Sequence, residues 1–319
     1  MAVNRQIKVG SLKKSELAEA DRIFRLAFGT WLGLPRPADF MGDRDLMTTR
    51  WRAKNVCVIA AREHVGAKRG RLIGTNVVTR WGSFGFFGPL TVLPEYWDRG
   101  VAQRLLEETI SVFERWRVRH TGLYTFPTSP KHIGLYQKFG YWPRYLTAIM
   151  TRTPEVAQAS ACVLSGLPKS RREEAIRACA KLTGKIDKGL DLTEEIRAVL
   201  TQRTGDVVLI YTRTTLDAFA ICLHGPGSEG GTKVCYVKFA AARGGAGAGD
   251  SFTKLLHAID AFAASRGASI EAGVNLARED AYRRMRAHGY RTAMQGIAMH
   301  RPHAAGFSHA DAYVIDDWR

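Results

Sequence analysis

The chain has 319 residues, enough for two domains of ordinary size, and its 45% hydrophobic and 24% charged residues exclude a disordered or fibrous protein. Its net charge of +17 is uneven: residues 1–160 carry +12 and residues 161–319 carry +5, and such a basic field favours anionic ligands. No secretion signal, membrane-spanning stretch, disulfide framework or zinc-site spacing is present, so we expect a cytoplasmic protein with free thiols and no metal.

The first half alternates helical and strand-like patterns. Apolar residues at helical spacing predict an opening helix over 15–28, a helix from Val101 onward, and a short helix that ends at Gly140. Runs rich in β-branched and aromatic residues predict strands at 56–61, 72–81, 84–93, 123–126 and 146–150. The first two strands flank a turn at 66–70 and form a predicted hairpin. We therefore predict a mixed α/β domain over residues 1–155, closed by the strand at 146–150.

The second half repeats this order. Its proline- and glycine-containing start predicts a linker over 156–170 and a second domain over 171–319. The predicted elements are helices at 171–182 and 193–202, strands at 207–211, 219–224 and 233–241, and a helix opened by Gly247.

The two halves also share marker residues. Gly140-Tyr141 follows Gly100 by 40 residues, and Gly289-Tyr290 follows Gly247 by 42 residues. An apolar strand that ends in methionine and a basic residue follows each Gly-Tyr pair. Two common α/β units could match by chance, but the shared order and spacing favour an internal duplication.

The segment from Val92 to Leu106 carries the clearest sign of a ligand site. A strand ends at Pro94, a short loop follows, and a helix begins directly after Gly100. The first amides of a helix lack intrahelical partners and lie at the positive end of its dipole. The small residues Gly100 and Ala102 would let a diphosphate approach these amides closely. The alternative is a glycine-containing strand-to-helix turn that binds nothing.

This segment resembles the signature of the GCN5-related N-acetyltransferase (GNAT) family, which is Gln or Arg, two residues, Gly, one residue, then Gly or Ala, after a strand ending Val-x-Pro. Val92-Leu93-Pro94, Gly100 and Ala102 fit that signature. Trp97 stands at the Gln or Arg position and departs from it, although Arg99 could supply the missing charge.

A second element supports the resemblance. The family's later helix has Asn, Ala at +3, Leu-Tyr at +6 and +7, Lys at +9, and Gly-aromatic at +11 and +12. Counted from Ser129, the chain matches with Leu135-Tyr136, Lys138 and Gly140-Tyr141, and departs at Ser129 and His132. Five of the seven positions therefore match, and the resemblance covers roughly the first 150 residues.

The resemblance implies an α/β fold with two tandem GNAT-like domains, each a mostly antiparallel central sheet flanked by helices. It also implies direct transfer of an acetyl group from acetyl-CoA to a primary amine in a ternary complex, without a metal. Tyr136 would be the general acid that protonates the departing thiolate, since a phenol stays protonated at neutral pH. Without the family pattern, a packed core tyrosine would be the preferred interpretation.

The residues expected to contact the cofactor lie on the strand, the loop and the later helix. They are Leu90, Thr91, Val92, Asp98, Arg99, Gly100, Val101, Ala102, Gln103, Ser129, His132 and Tyr136. The backbone of the first three would pair with the pantetheine arm as with an added strand. No Asp or Glu occurs over 84–92 to serve as general base, and Glu95, Tyr124 and His132 are candidates to which we assign no role.

The second half departs from the family pattern at its decisive positions. Met285 stands where the acid tyrosine should be, and Arg278 where the asparagine should be, so we expect a degenerate copy. In the alternative, the second half is the active one, as in tandem enzymes of the mycothiol synthase type, with its 243–249 loop and Tyr282 as acid.

A third interpretation is a non-catalytic acyl-CoA-binding regulatory module. The expected acceptor is a small-molecule or protein amine, and a homodimer is left open. No motif for specific nucleic-acid recognition is present, and we expect no membrane partner.

Overall fold

The computed structural model describes residues 5–66, 70–155 and 161–319. The strands are β1 (Arg5–Ser11), β2 (Val56–Val65), β3 (Arg71–Trp81), β4 (Phe84–Val92), β5 (His120–Thr125), β6 (Trp142–Arg152), β7 (Gly205–Thr212), β8 (Thr215–Gly225), β9 (Gly231–Ala242), β10 (Ser269–Asn275), β11 (Arg291–Arg301) and β12 (Val314–Ile315). The helices are α1 (Leu17–Trp31), α2 (Met47–Arg52), α3 (Val101–Trp116), α4 (Pro130–Gln137), α5 (Lys169–Ile186), α6 (Thr193–Gln202), α7 (Ala248–Ala264) and α8 (Glu279–Ala287). The predicted turn at 66–70 and the predicted linker at 156–170 lie partly outside the described residues.

Helix α3 shows why the local predictions succeeded. Val101, Leu105, Leu106 and Phe113 recur at helical spacing and are buried against the sheet, while the opposite face of the helix is exposed. The helix ends at Arg117, whose left-handed backbone, with a φ of 52°, stops the helical run. Among the helices of the described ranges, none is long and apolar enough to cross a membrane.

All the named strands join one continuous sheet. Its order is β1-β2-β3-β4-β5-β11-β6-β10-β9-β8-β7, and β12 pairs with β9 outside this path. Most neighbours are antiparallel, whereas β4 with β5 and β9 with β10 are parallel. The predicted fold class, a mixed and mostly antiparallel sheet flanked by helices in two tandem units, is therefore confirmed.

The two halves exchange a strand at the centre of the sheet. Strand β11 of the second half lies between β5 and β6, and β6 of the first half lies between β11 and β10. The strand predicted at 146–150 therefore has both of its sheet neighbours in the second half. An apolar strand pattern shows that a strand is buried but not which neighbours cover it. The predicted bounds of the two domains, 1–155 and 171–319, stay a prediction.

A buried ion pair also joins the halves. Arg50 Nε on α2 lies 2.5 Å from Glu229 Oε1 in the loop between β8 and β9, and the Arg50 and Glu229 side chains are only 2% and 6% exposed. The Arg50 guanidinium also donates to the hydroxyl of Thr79 on β3 at 3.2 Å. Loss of either partner would leave the other charge buried and unpaired. This contact therefore fixes the position of α2 against the second half.

Candidate functional site

The strands β4 and β5 separate part-way along the sheet and leave a gap. They pair in parallel from Phe84 with His120 to Phe87 with Leu123, and β4 then continues alone along β3. The amide of Leu93 donates to Ile73 O on the β3 side at 2.9 Å. Since backbone groups alternate along a strand, those of Leu90 and Val92 point away from β3 and into the gap. The gap can therefore accept an extended ligand as an added strand.

The loop after β4 turns the chain directly into α3. Asp98 and Gly100 both have positive φ, 64° and 73°, which reverses the chain within a few residues. The first helical bond runs from Arg104 N to Gly100 O at 3.2 Å, so the amides of Val101, Ala102 and Gln103 precede it and have no intrahelical partner. A Cβ on Gly100 would meet nothing within 4 Å. Open amides at a helix N-terminus have the geometry that suits an anion.

Trp97, the residue that departs from the signature, holds this loop against the strand. Its indole Nε1 donates to Val92 O at 2.8 Å, and that carbonyl lies on the gap side of β4. The guanidinium of Arg99 lies over the ring of Tyr96, with 5.3 Å between the guanidinium carbon and the ring centroid. The structure therefore gives Trp97 a bracing role and places Arg99 on an aromatic ring.

Helix α4 begins at the mouth of the gap. Ser129 caps this helix, its hydroxyl accepting a hydrogen bond from the amide of His132 at 3.4 Å. Lys131 forms an ion pair with Asp98 and so links α4 to the loop before α3. The side chains of Lys131 and Asp98 are 64% and 74% exposed, so this ion pair lies at the surface of the gap and does not fill it.

Tyr136 lies where the two strands part. Its ring packs edge-on against that of Phe87, the last β4 residue paired with β5, at 5.7 Å between centroids. Burial raises the pKa of Tyr136 to about 12, and a hydrogen bond with the Thr125 side chain on β5 opposes that shift. The phenol is therefore protonated throughout the neutral range.

The three candidates for the general base differ in their surroundings. Glu95 is exposed and paired with Arg71 at 2.9 Å. Burial raises the pKa of Tyr124, so its phenolate is strongly disfavoured. Burial and then the nearby Lys131 charge lower the pKa of His132, which leaves a neutral imidazole at neutral pH. His132 therefore offers a neutral imidazole that can accept a proton at neutral pH.

His132 belongs to an aromatic wall at the carboxyl end of β5. Trp31, at the end of α1, stacks on Phe126 with centroids 4.2 Å apart and lies 5.9 Å from the His132 ring. Because His132 and Tyr136 are four residues apart on α4, both project from the same face of that helix. Sequence patterns did not single out Trp31 or Phe126, since only the fold brings the end of α1 to the end of β5.

Residues 23–141 match the family model described as Acetyltransferase (GNAT) family. Residues 23–141 thus form a domain of the GNAT family. This region includes the loop, the gap and Tyr136, so the resemblance read from the sequence is confirmed. The comparison with curated proteins finds no match.

Solved structures extend the GNAT likeness to the second half. A putative acetyltransferase from Pyrococcus horikoshii has a TM-score of 0.65 and 13% identity, over 98% of this chain and 95% of that one. A GCN5-related N-acetyltransferase from Sphaerobacter thermophilus has a TM-score of 0.59 and 14% identity, over 92% and 95%. A tandem GNAT protein from the clavulanic acid biosynthesis pathway has a TM-score of 0.55 and 10% identity, over 92% and 98%. At these identities the likeness shows a shared fold, here the tandem GNAT fold.

The second GNAT-like copy keeps the geometry but has different side chains at the decisive positions. Its paired strands β9 and β10 also part, after Val237 and Ala272, and Gly247 has a φ of 79° before α7. Met285, at the position of the acid tyrosine, is fully buried. Arg278 is buried too and is held by Asp316 and by the hydroxyl of Ser308 at 2.9 Å. Neither of these two positions offers a proton donor to a ligand in the second gap.

Proposed function

We propose that the protein transfers the acetyl group of acetyl-CoA to a primary amine, with its active site in the first half. The observation that carries this proposal is the parting of β4 and β5 at Phe87, directly beside the buried phenol of Tyr136. The open amides of α3 lie at the mouth of the same gap. The acceptor is proposed to be a small-molecule or protein amine of the cytoplasm.

Acetyl-CoA would bind in two parts. Its diphosphate would accept hydrogen bonds from the amides of Val101, Ala102 and Gln103, supported by the dipole of α3 and the excess basic charge of the first half. Its pantetheine arm would run between the parted strands and pair with the backbone of Leu90 and Val92. The thioester then comes to rest near Tyr136, because that side chain marks the closed end of the gap.

Transfer would occur in a single complex of enzyme, thioester and amine. The neutral amine attacks the thioester carbonyl, the carbon–sulfur bond breaks, and the thiolate takes a proton from the Tyr136 hydroxyl. The proton that the attacking nitrogen then loses returns to the Tyr136 phenolate, so both groups end neutral. An amine with a pKa of about 10.4 is almost wholly protonated at pH 7, so it must lose a proton before attack. We assign that proton to the His132 imidazole, which burial keeps neutral. Asp98, Arg99, Thr91 and Ser129 would support this site by shaping the loop, strand and helix start.

Two measurements on the whole chain test this proposal. We expect acetyl-CoA to raise the melting temperature, and a thiol-release assay with a panel of primary amines to show turnover on at least one of them. Stabilisation with no turnover on any amine would favour a regulatory acyl-CoA-binding module instead. An unchanged melting temperature at millimolar acetyl-CoA would contradict both functions.

A further inference from the structure

A short strand of the chain lies in the second gap. Strand β12 pairs antiparallel with β9, with Val314 opposite Ala241 and Ile315 opposite Ala240. The amide of Ala242 also donates to Tyr313 O at 2.9 Å. Residues 313–315 thus occupy the side of β9 that β10 leaves open after Val237.

This position is the counterpart of the proposed pantetheine site. Arg243 N donates to Asp217 O on the β8 side at 2.7 Å, as Leu93 N donates to Ile73 O on the β3 side. Because backbone groups alternate along a strand, the N–H and C=O groups of Ala240 and Ala242 face the second gap. Those of Leu90 and Val92 face the first gap in the same way. In the proposed function, Val92 N donates a hydrogen bond to the cofactor. Its counterpart in the second half, Ala242 N, donates to Tyr313 O of the same chain instead.

A charged side chain packs against the first turn of α7, the counterpart of the proposed diphosphate site. A Cβ on Gly249, in the first turn of α7, would lie 2.3 Å from the guanidinium of Arg284, which therefore packs against that turn. Arg284 is held there by Asp280 and by the hydroxyl of Thr253, each at 3.2 Å. In the first half the position of Gly249 is taken by Ala102, which follows Gly100 by two residues as Gly249 follows Gly247.

The segment that carries β12 is anchored within the strand and beyond it. Val314 and Ile315 are fully buried. Beyond them, the ring of Trp318 packs against Gly122 so closely that a Cβ there would lie 1.9 Å from it. The backbone oxygen of Arg319 accepts hydrogen bonds from Arg50 at 3.0 Å and from Lys238 at 2.8 Å. Displacing β12 would therefore expose apolar surface and break buried polar contacts.

We propose that residues 313–315 are a built-in strand that permanently closes the second gap, so that the chain binds one acyl-CoA, in its first half only. The statement about stoichiometry rests on the function proposed above, whereas the closure of the second gap does not. The second half then serves as a closed scaffold that supplies β11 to the centre of the sheet.

Two glycines provide a matched pair of variants for calorimetric titration with acetyl-CoA. Gly100 and Gly247 have nearly the same conformation, φ 73° and 79°, each precedes a helix, and a Cβ on either would meet nothing within 4 Å. We expect one site per chain, a loss of affinity of roughly tenfold or more in Gly100→Asp, where a carboxylate would repel the diphosphate, and unchanged affinity in Gly247→Asp. Two sites per chain, or lost binding in Gly247→Asp alone, would overturn the proposal.

Amide hydrogen exchange tests the closure separately from the function. The amide of Ala242 should exchange slowly in the whole chain, whether or not acetyl-CoA is present. Slow exchange supports the closure even if the titration detects no binding, in which case the proposed function fails alone. Rapid exchange at Ala242 and across 313–315, or a rise in exchange there on adding acetyl-CoA, would show that the gap opens and would refute the closure.

Discussion

The indole of Trp97 donates a hydrogen bond to the carbonyl oxygen of Val92 at 2.8 Å. This bond ties the loop before α3 to the end of β4, so the amides that face the proposed diphosphate are held relative to the gap. The residue that departs most clearly from the family signature thus stabilises the loop geometry on which the signature depends.

Trp97→Phe should therefore weaken the cofactor site without affecting the chemical step. The variant keeps an aromatic ring but loses the donor, and one hydrogen bond contributes about 1 kcal/mol, so we expect the KM for acetyl-CoA to rise about fivefold. The kcat should stay within about twofold of its original value. Steady-state kinetics on acetyl-CoA would check this, and a fall in kcat at constant KM would contradict it.

Tyr136→Phe should lower kcat by about 100-fold or more, the usual size of a general-acid effect. Its melting temperature should fall by only a few degrees, because the ring stays in place and one hydrogen bond with Thr125 is lost. Tyr141→Phe is the matched control: Tyr141 is also buried, packs edge-on against Phe87 at 5.4 Å, and has a pKa raised to about 12 by burial. Equal losses of kcat in the two variants would refute the acid role of Tyr136.

His132→Gln should lower kcat/KM by roughly 100-fold and remove the acidic limb of the pH profile. Burial lowers the pKa of His132 below its ordinary 6.5. The imidazole is therefore neutral, and able to accept a proton, at pH values above 6.5. The original enzyme should therefore lose activity only as the pH falls below about 6.5. An acidic limb that persists unchanged in His132→Gln would assign the base to another group.

The buried pair of His120 and His300 should make stability sensitive to acid. Their rings lie 3.0 Å apart between Nε2 and Nδ1, and burial lowers the pKa of His120 to about 4 and of His300 to about 3. The unfolded chain takes up protons at about pH 6.5 and the folded chain does not. The folded state therefore keeps its full stability above about pH 6.5. It loses stability as the pH falls toward 4, because only the unfolded chain gains protons on these two histidines in that range.

The predicted loss approaches ~2.7 kcal/mol per pH unit, from two protons at ~1.36 kcal/mol each. Urea unfolding between pH 7 and pH 5 would measure it. His300→Leu should lower the dependence on pH by up to one proton, and substitution of the exposed His303 by Gln should leave it unchanged. An equal dependence on pH in all three proteins would show that other groups dominate.

Local patterns predicted the parts of the fold that local forces determine. The helix from Val101 and the hairpin of β2 and β3 follow from apolar periodicity and turn residues close in the sequence. Tyr136 could be placed because one short helix fixes its register relative to Gly140. The structure packs its ring against that of Phe87.

Long-range pairing could not be read in this way. Strand β11 lies between β5 and β6, although its apolar pattern would suit any buried position in the sheet. Strand β12 has only Val314 and Ile315, too short a run to show a period. The aromatic wall of Trp31, Phe126 and His132 also depends on three elements meeting, which no spacing in the sequence encodes.

A crystal structure of the chain with acetyl-CoA would test the central claim most directly. It should show the diphosphate on the amides of Val101, Ala102 and Gln103, the pantetheine arm between β4 and β5, and the sulfur within hydrogen-bonding reach of the Tyr136 hydroxyl. A cofactor bound between β9 and β10 with residues 313–315 displaced, or a first gap that stays empty at saturating acetyl-CoA, would contradict it.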